Sequence, residues 1–315
     1  MSSTEPKFLR NIIGEYMVEL GDKSAEVVMV NADLMGTCRN STFFQKYPQR
    51  TFNVGIAEQN LVSFAAGLAH EGFIAYAFSM APFISMRACE QCRTDVAYGN
   101  LNVRLLATYA GCSGGISGAT HWSIEDCAIM NSMPNMTIME PCDAVQAKKM
   151  MEATLTHKGP IYLRSSVEPV RRALYDEAYE FKIGKASVLK DGVDGAFICS
   201  GVVVQYAFEA AIRIQEDTGK KIRVVDMHTI KPLDRDAVIS AAETGNLVVA
   251  QDHNIVGGLG YCVAEVLAEE GIAVKYINAG IKDEFAAMAH APFLYHRYGI
   301  DTEGLEKRML SLING

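Results

Sequence analysis

A chain of 315 residues, 49% hydrophobic and 21% charged, can bury two full cores, which excludes a disordered or fibrous protein and favours two domains over one. A net charge of −8, with no Lys/Arg stripe interleaved with aromatics, argues against a nucleic-acid partner. No apolar run approaches the roughly 18 residues of a membrane span, and the N-terminal Met-Ser-Ser-Thr-Glu-Pro-Lys lacks an apolar signal core, so no membrane partner and a cytoplasmic location are expected.

In chain order, Arg10 to Leu20 reads as an amphipathic helix stopped by Gly21, and Glu26 to Asn31 as a buried strand. The extended stretch Thr51 to Val54 precedes a helix that starts near Glu58 and stops at Gly72. Next come a strand at Phe73 to Phe78, one helix from Pro82 to Tyr98, and a strand at Val103 to Tyr109. A glycine-rich loop from Gly111 to His121 leads to a helix at Ile124 to Asn131. The strand Met136 to Met139, helix Asp143 to Thr156 and strand Pro160 to Arg164 close the first block. The polar crossing Glu168 to Lys185 marks the boundary, giving units 1–180 and 181–315. The second block has strands at Gly195 to Cys199, Ile222 to Val225, Leu247 to Ala250 and Ala273 to Ile277. Its helices are Val204 to Glu216, Asp234 to Glu243 and Gly258 to Glu269. Alternating strands and helices predict an α/β fold, with two three-layer domains each built on a parallel sheet.

Eight cysteines without framework spacing read as reduced, buried thiols, and the lone pair Cys89 and Cys92 has no second pair at a zinc-ligand interval. No Gly-x-x-x-x-Gly-Lys-Ser/Thr occurs, and the clusters Gly111 to Gly118 and Gly257 to Gly260 lack the order of a dinucleotide loop. Glu58 is unusual: a carboxylate in the first turn of an apolar, small-residue helix, where it is either a capping acid favoured by the helix dipole or a functional group. His121 ends the loop after a strand, where parallel sheets build their sites, and could instead cap the next helix. Arg164 ends a strand as either an anion clamp or one half of an ion pair.

The strings Phe52-Asn-Val-Gly-Ile-Ala-Glu58-Gln, Met86-Arg-Ala-Cys-Glu-Gln-Cys-Arg93, Gly118-Ala-Thr-His121 and Met133-Pro-Asn-Met-Thr137 resemble the pyrimidine-binding domain of the transketolases. Ile230-Lys-Pro-Leu-Asp234 and Asp252-His-Asn-Ile-Val-Gly-Gly-Leu-Gly260 are similar to their C-terminal domain, so the likeness spans almost the whole chain. A complete transketolase starts with a diphosphate-binding domain carrying Gly-Asp-Gly, a string missing here. The resemblance therefore implies the second subunit of a split transketolase. Its cofactors would be thiamine diphosphate and Mg2+, held largely by a separate N-terminal subunit, in an α2β2 assembly acting on sugar phosphates.

By that resemblance Glu58 bonds the pyrimidine N1′ and drives the imino shift that activates C2, sharing a proton that apolar neighbours help it hold. Phe83, with Phe78 as the fallback, matches an aromatic that packs on the pyrimidine, and Arg87 an arginine of related thiamine enzymes. His121 matches a histidine near the reacting sugar oxygen, and Arg164 the substrate-phosphate position, with Arg10 and Ser41 as further candidates. Two departures bear on substrate: Tyr109 stands where transketolases have a second loop histidine, and Ser117 where an Asp recognises a sugar hydroxyl. A modified or branched ketose phosphate is thereby left open. The competing readings are the β subunit of a 2-oxo acid dehydrogenase, a deoxyxylulose phosphate synthase-like enzyme, and a scaffold that kept the fold without chemistry.

Overall fold

Runs such as Val27-Val28-Met29-Val30 and Gly195-Ala-Phe-Ile-Cys199 have no polar alternate face, and each becomes a strand buried on both sides. The computed structural model describes residues 7–315. Its first part runs β1 (Lys7–Phe8), α1 (Leu9–Lys23), β2 (Val27–Asn31), α2 (Met35–Cys38), α3 (Ser41–Lys46), β3 (Thr51–Asn53), α4 (Glu58–His70) and β4 (Ile74–Met80). It continues through α5 (Cys89–Gln91), β5 (Val103–Thr108), α6 (Asp126–Asn131), β6 (Thr137–Met139), α7 (Ala144–Ala153), β7 (Ile161–Ser165) and β8 (Pro169–Val170). The second part holds β9 (Ser187–Lys190), β10 (Gly195–Cys199), α8 (Val203–Thr218), β11 (Ile222–Asp226), β12 (Thr229–Lys231) and α9 (Arg235–Ala242). It ends with β13 (Asn246–Asn254), α10 (Leu259–Glu269), β14 (Lys275–Ile281), α11 (Ala291–Tyr298) and α12 (Thr302–Asn314).

The larger sheet has the order β12-β6-β7-β5-β4-β2-β3 and is parallel except for β12. Alternation along β4 shows why both faces are covered. Ala75 and Ala77 pack with Leu61, Val62 and Ala65 of α4, while Ile74, Tyr76 and Phe78 pack with Ile13 and Met17 of α1 and Met150 of α7. The second sheet, β14-β13-β10-β11-β9, is parallel except for β9. Phe197 and Cys199 face α8 and α12, and Ala196 and Ile198 face α9 and α10. The result is the expected pair of three-layer α/β domains. Among the described residues, no helix is long and apolar enough to cross a membrane.

Two local departures from the sequence reading matter for the site. The expected single helix at Pro82 to Tyr98 is interrupted by π turns at Phe83–Arg87 and Cys92–Ala97, where Ala88 N–H reaches Phe83 O at 3.2 Å and Tyr98 N–H reaches Arg93 O at 2.9 Å. Ser85 Oγ takes the Ala81 carbonyl and Thr94 Oγ1 the Glu90 carbonyl, so side chains compete for acceptors that an α-helical ladder would use. The second departure is β12, which leaves the second block to pair antiparallel with β6 at the edge of the first sheet. Lys231 Nζ locks it there, donating to the carbonyls of Asn131 and Met133 at 2.7 Å each.

Candidate active site

Glu58 opens α4 behind an N-cap, Ala57, that supplies no side-chain acceptor, so the acid itself meets the positive end of the helix. Its side chain is only 2% exposed and lies at the floor of a hollow lined by Ile56, Ala57, Gln59, Asn60 and Arg87. Oε2 accepts from Arg87 Nη1 at 3.1 Å, and no second donor reaches the carboxylate among the described residues. One oxygen is therefore open toward the hollow. Gly72, at φ +96, turns the chain out of this helix in a conformation that only glycine adopts freely.

The π turn at Phe83–Arg87 widens the helix by one residue and carries both Arg87, which reaches Glu58, and Phe83, which packs on Arg87. The Arg87 guanidinium lies 4.5 Å from the Phe83 ring centroid, and the Phe83 ring meets the His121 ring edge-on at 5.8 Å. Glu58, Arg87, Phe83 and His121 thus form one continuous line drawn from three separate segments. His121 is exposed, and its Nδ1 pairs with Thr120 Oγ1 at 2.8 Å, leaving Nε2 turned to no protein partner among the described residues. It does not cap α6, whose N-cap is Glu125.

The loop that delivers His121 begins with Tyr109 in the left-handed region at φ 62, and Ser117 sits exposed at the end of its short 3₁₀ turn. Arg10 of α1 meets the start of this loop, donating from Nη1 to Tyr109 Oη at 3.2 Å, while its buried Nε has no partner among the described residues.

No hydrogen bond or ring contact joins the remaining sequence candidates to this line among the described residues. Phe78 is 1% exposed and turned to the α1 and α7 face of β4, opposite α4, so strand alternation makes it core and leaves Phe83 as the site aromatic. Ser41 starts α3, and no hydrogen bond joins it to Glu58, His121 or Arg10 among the described residues. Arg164 departs from the phosphate-clamp expectation, because it is fully buried and enclosed by carboxylates. Nε and Nη2 bind the two oxygens of Asp126 at 2.9 and 3.1 Å, Nη2 also reaches Asp252 O at 3.2 Å, and Nη1 pairs with Glu140 Oε1 at 2.9 Å. Burial alone would lower its pKa, but the carboxylates of Asp126 and Glu140 outweigh burial and hold the guanidinium charged.

That ion cluster joins the two domains, since Ser200 and Gln251 of the second domain donate to Glu140 Oε2. Asp126, Cys127 and His253 also place ligand-type atoms within 4.8 Å of one another. Asp126 is nevertheless bound bidentately by Arg164 and by Tyr162 Oη at 2.8 Å, which suits an ion pair better than a cation site. The sequence reading misses Glu140 and Asp252, acids near the carboxyl ends of β6 and β13. The strand-end signal that singles out Arg164 applies to them equally.

A buried carboxylate with one open oxygen, beside an aromatic ring and an exposed imidazole, fits a planar heteroaromatic group that presents a ring nitrogen. Comparison with known proteins identifies the family. Residues 6–172 match the family described as transketolase, pyrimidine binding domain, and residues 184–305 match transketolase, C-terminal domain. The chain is 35% identical to one of the subunits of the apulose-4-phosphate transketolase of Phocaeicola vulgatus, over 96% of this chain and 97% of that one. It is 36% identical to a 6-deoxy-6-sulfo-D-fructose transketolase subunit of a Clostridium species, over 94% and 91%. A solved structure described as a split gene transketolase, inactive beta4 tetramer, superposes with a TM-score of 0.89 at 35% identity, covering 98% of both chains. Both matched domains follow one another along nearly the full length, and the chain belongs to the transketolase family as an enzyme subunit of transketolase type.

Proposed function

We propose that this chain is the second subunit of a thiamine diphosphate-dependent transketolase, transferring a two-carbon ketol unit from a ketose phosphate to an aldose phosphate. The observation that carries the reading is Glu58, buried and holding one open oxygen beside Phe83 and His121. Thiamine diphosphate, when bound, supplies a carbon nucleophile at C2 and an aminopyrimidine that relays protons to it. Glu58 would bind the pyrimidine N1′ and share a proton with it, and burial keeps water from competing for that bond. Phe83 would cover one face of the ring, and Arg87 would hold the carboxylate by its second oxygen. His121 would donate from Nε2 to the sugar oxygen on which charge develops, with Ser117 and Arg10 as sugar contacts.

The diphosphate and Mg2+ would rest mainly on a separate first subunit carrying Gly-Asp-Gly, in a cytoplasmic α2β2 assembly. The similar solved chain described as a beta4 tetramer supports self-association. Relatives named for apulose phosphate and sulfofructose, together with Ser117 in place of an acid, support a modified ketose as donor. The test is to reconstitute the chain with its first subunit and supply thiamine diphosphate and Mg2+. Release of an aldose phosphate from a ketose phosphate supports the reading. Decarboxylation of pyruvate without ketol transfer overturns it in favour of a pyruvate-using thiamine enzyme, the second chain of a 2-oxo acid dehydrogenase or a deoxyxylulose phosphate synthase-like enzyme.

A further inference from the structure

We propose that Asp252 is a positioning residue, a carboxylate of the second domain that sets the loop carrying Ser117 and His121 and thereby the affinity for the donor sugar. The inference rests on the role given to His121 above. Asp252 lies on β13, 2% exposed, and its two oxygens point to different elements: Oδ1 accepts the Cys112 N–H at 2.9 Å and Oδ2 accepts the Tyr295 hydroxyl of α11 at 2.9 Å. An anionic acceptor makes both bonds stronger than a neutral group would.

The loop backbone sits directly on this carboxylate. A Cβ built on Gly111, which has φ +64, would fall 2.1 Å from Asp252 Cγ, so glycine is needed both for the turn and for the approach. Farther along, a Cβ on Gly115 would meet Ala289 O at 2.8 Å, and one on Gly118 would meet Met288 at 3.0 Å. Asn254 N–H, two residues past Asp252, takes the Ile124 carbonyl at 2.9 Å just beyond the loop. The first domain ties the loop through Gly111 N–H to Ser123 O at 2.7 Å, Ala110 N–H to Ser165 O at 3.2 Å and Val167 N–H to Ser113 Oγ at 3.2 Å. Its middle, where Ser117 lies, is held by its own turn bonds, with Ser117 N–H to Gly114 O at 3.0 Å and Trp122 Nε1–H to Gly115 O at 3.3 Å, and packs against Met288 and Ala289 of the second domain; Asp252 is the one charged group that bonds the loop backbone among the described residues. Small displacements of a positioned group are costly in catalysis, which gives a buried acid remote from the chemistry leverage over substrate binding.

The test uses the reconstituted pair with Asp252→Asn, and Tyr295→Phe as a second variant that removes one anchor of the same carboxylate. Asp252→Asn should raise KM for the ketose phosphate by roughly tenfold, with kcat and thiamine diphosphate affinity within about twofold. In the chain alone, amide exchange across residues 110–121 should speed up while β4 is unchanged. Tyr295→Phe should give the same split at smaller amplitude. Unchanged KM and loop exchange in both variants overturn the proposal. So does a joint fall in kcat, cofactor affinity and unfolding midpoint, because that marks a merely structural acid. A wild-type pair without ketol transfer would instead defeat the functional reading, and the exchange measurement would still decide whether Asp252 holds the loop.

Discussion

Arg87 reaches the Glu58 carboxylate from the solvent side, Nη1 to Oε2 at 3.1 Å, with 54% of the arginine side chain exposed against 2% of the acid. The pair is lopsided: the acid is buried and the arginine hydrated, so if the arginine leaves, another donor must satisfy the carboxylate. A buried carboxylate whose one partner among the described residues is an exposed cation is poised for exchange with a ligand donor. Glu58→Gln keeps the shape and removes the acid, so turnover in the reconstituted pair should fall by about 100-fold or more while the unfolding midpoint moves by only a few degrees. Steady-state kinetics and thermal unfolding check this together; near-normal turnover would remove Glu58 from the mechanism.

Phe83 offers an independent check on the same site. Its ring lies between the Arg87 guanidinium and the His121 imidazole, partly buried and without a place in the main apolar clusters. Phe83→Ala should weaken thiamine diphosphate binding to the pair by roughly tenfold, equivalent to about 1.4 kcal/mol. Calorimetric titration of the cofactor would measure it, and an unchanged affinity would reassign the ring to packing.

How much of this is legible in the sequence depends on how local each signal is. The buried strands and the Glu58 helix follow from apolar runs and caps within about ten residues, and they appear within a few residues of where the sequence places them. The π turns are not legible, because they depend on Ser85 and Thr94 capturing carbonyls in place of the helix ladder, a choice settled by tertiary packing. Strand alternation along β4, a local signal, is what turns Phe78 into the core. Arg164 misleads for a different reason: Asp126, Glu140 and Asp252 lie 38, 24 and 88 positions away, and only the fold brings them together.

Arg164 itself gives a prediction about stability rather than substrate. Removing the guanidinium leaves Asp126 and Glu140 buried without their counter-charge at the junction of the two domains. Arg164→Met should therefore cost about 3–5 kcal/mol in urea unfolding of the isolated chain. A stable Arg164→Met protein with weakened sugar-phosphate binding would restore the clamp reading.

The last prediction concerns acid stability. His228 is buried, its ring 4.7 Å from that of Phe181, with Nδ1 paired to Thr229 Oγ1 at 3.0 Å and Nε2 without a partner among the described residues. A proton on Nε2 would be a desolvated, unpaired charge, so burial pushes the imidazole from 6.5 down to about 4, against the pull of the Lys185 backbone and Asp234. The unfolded chain binds a proton near 6.5 and the native state only near 4, so the unfolded state gains protons first. The contribution of neutral His228 is complete above about pH 6.5 and is lost as pH falls through the interval to about 4. His253, likewise lowered to about 4 by burial, acts in the same direction, whereas Asp226, raised by burial to about 7, contributes stability that is lost as pH rises toward 7. Bulk stability therefore mixes opposing trends, and the difference between wild type and His228→Gln isolates one of them. The variant should be less stable than wild type at pH 7.5, and the gap should narrow steadily between pH 6.5 and 4.5 in urea unfolding. A gap that stays constant across that range would mean that His228 carries its proton in the native state.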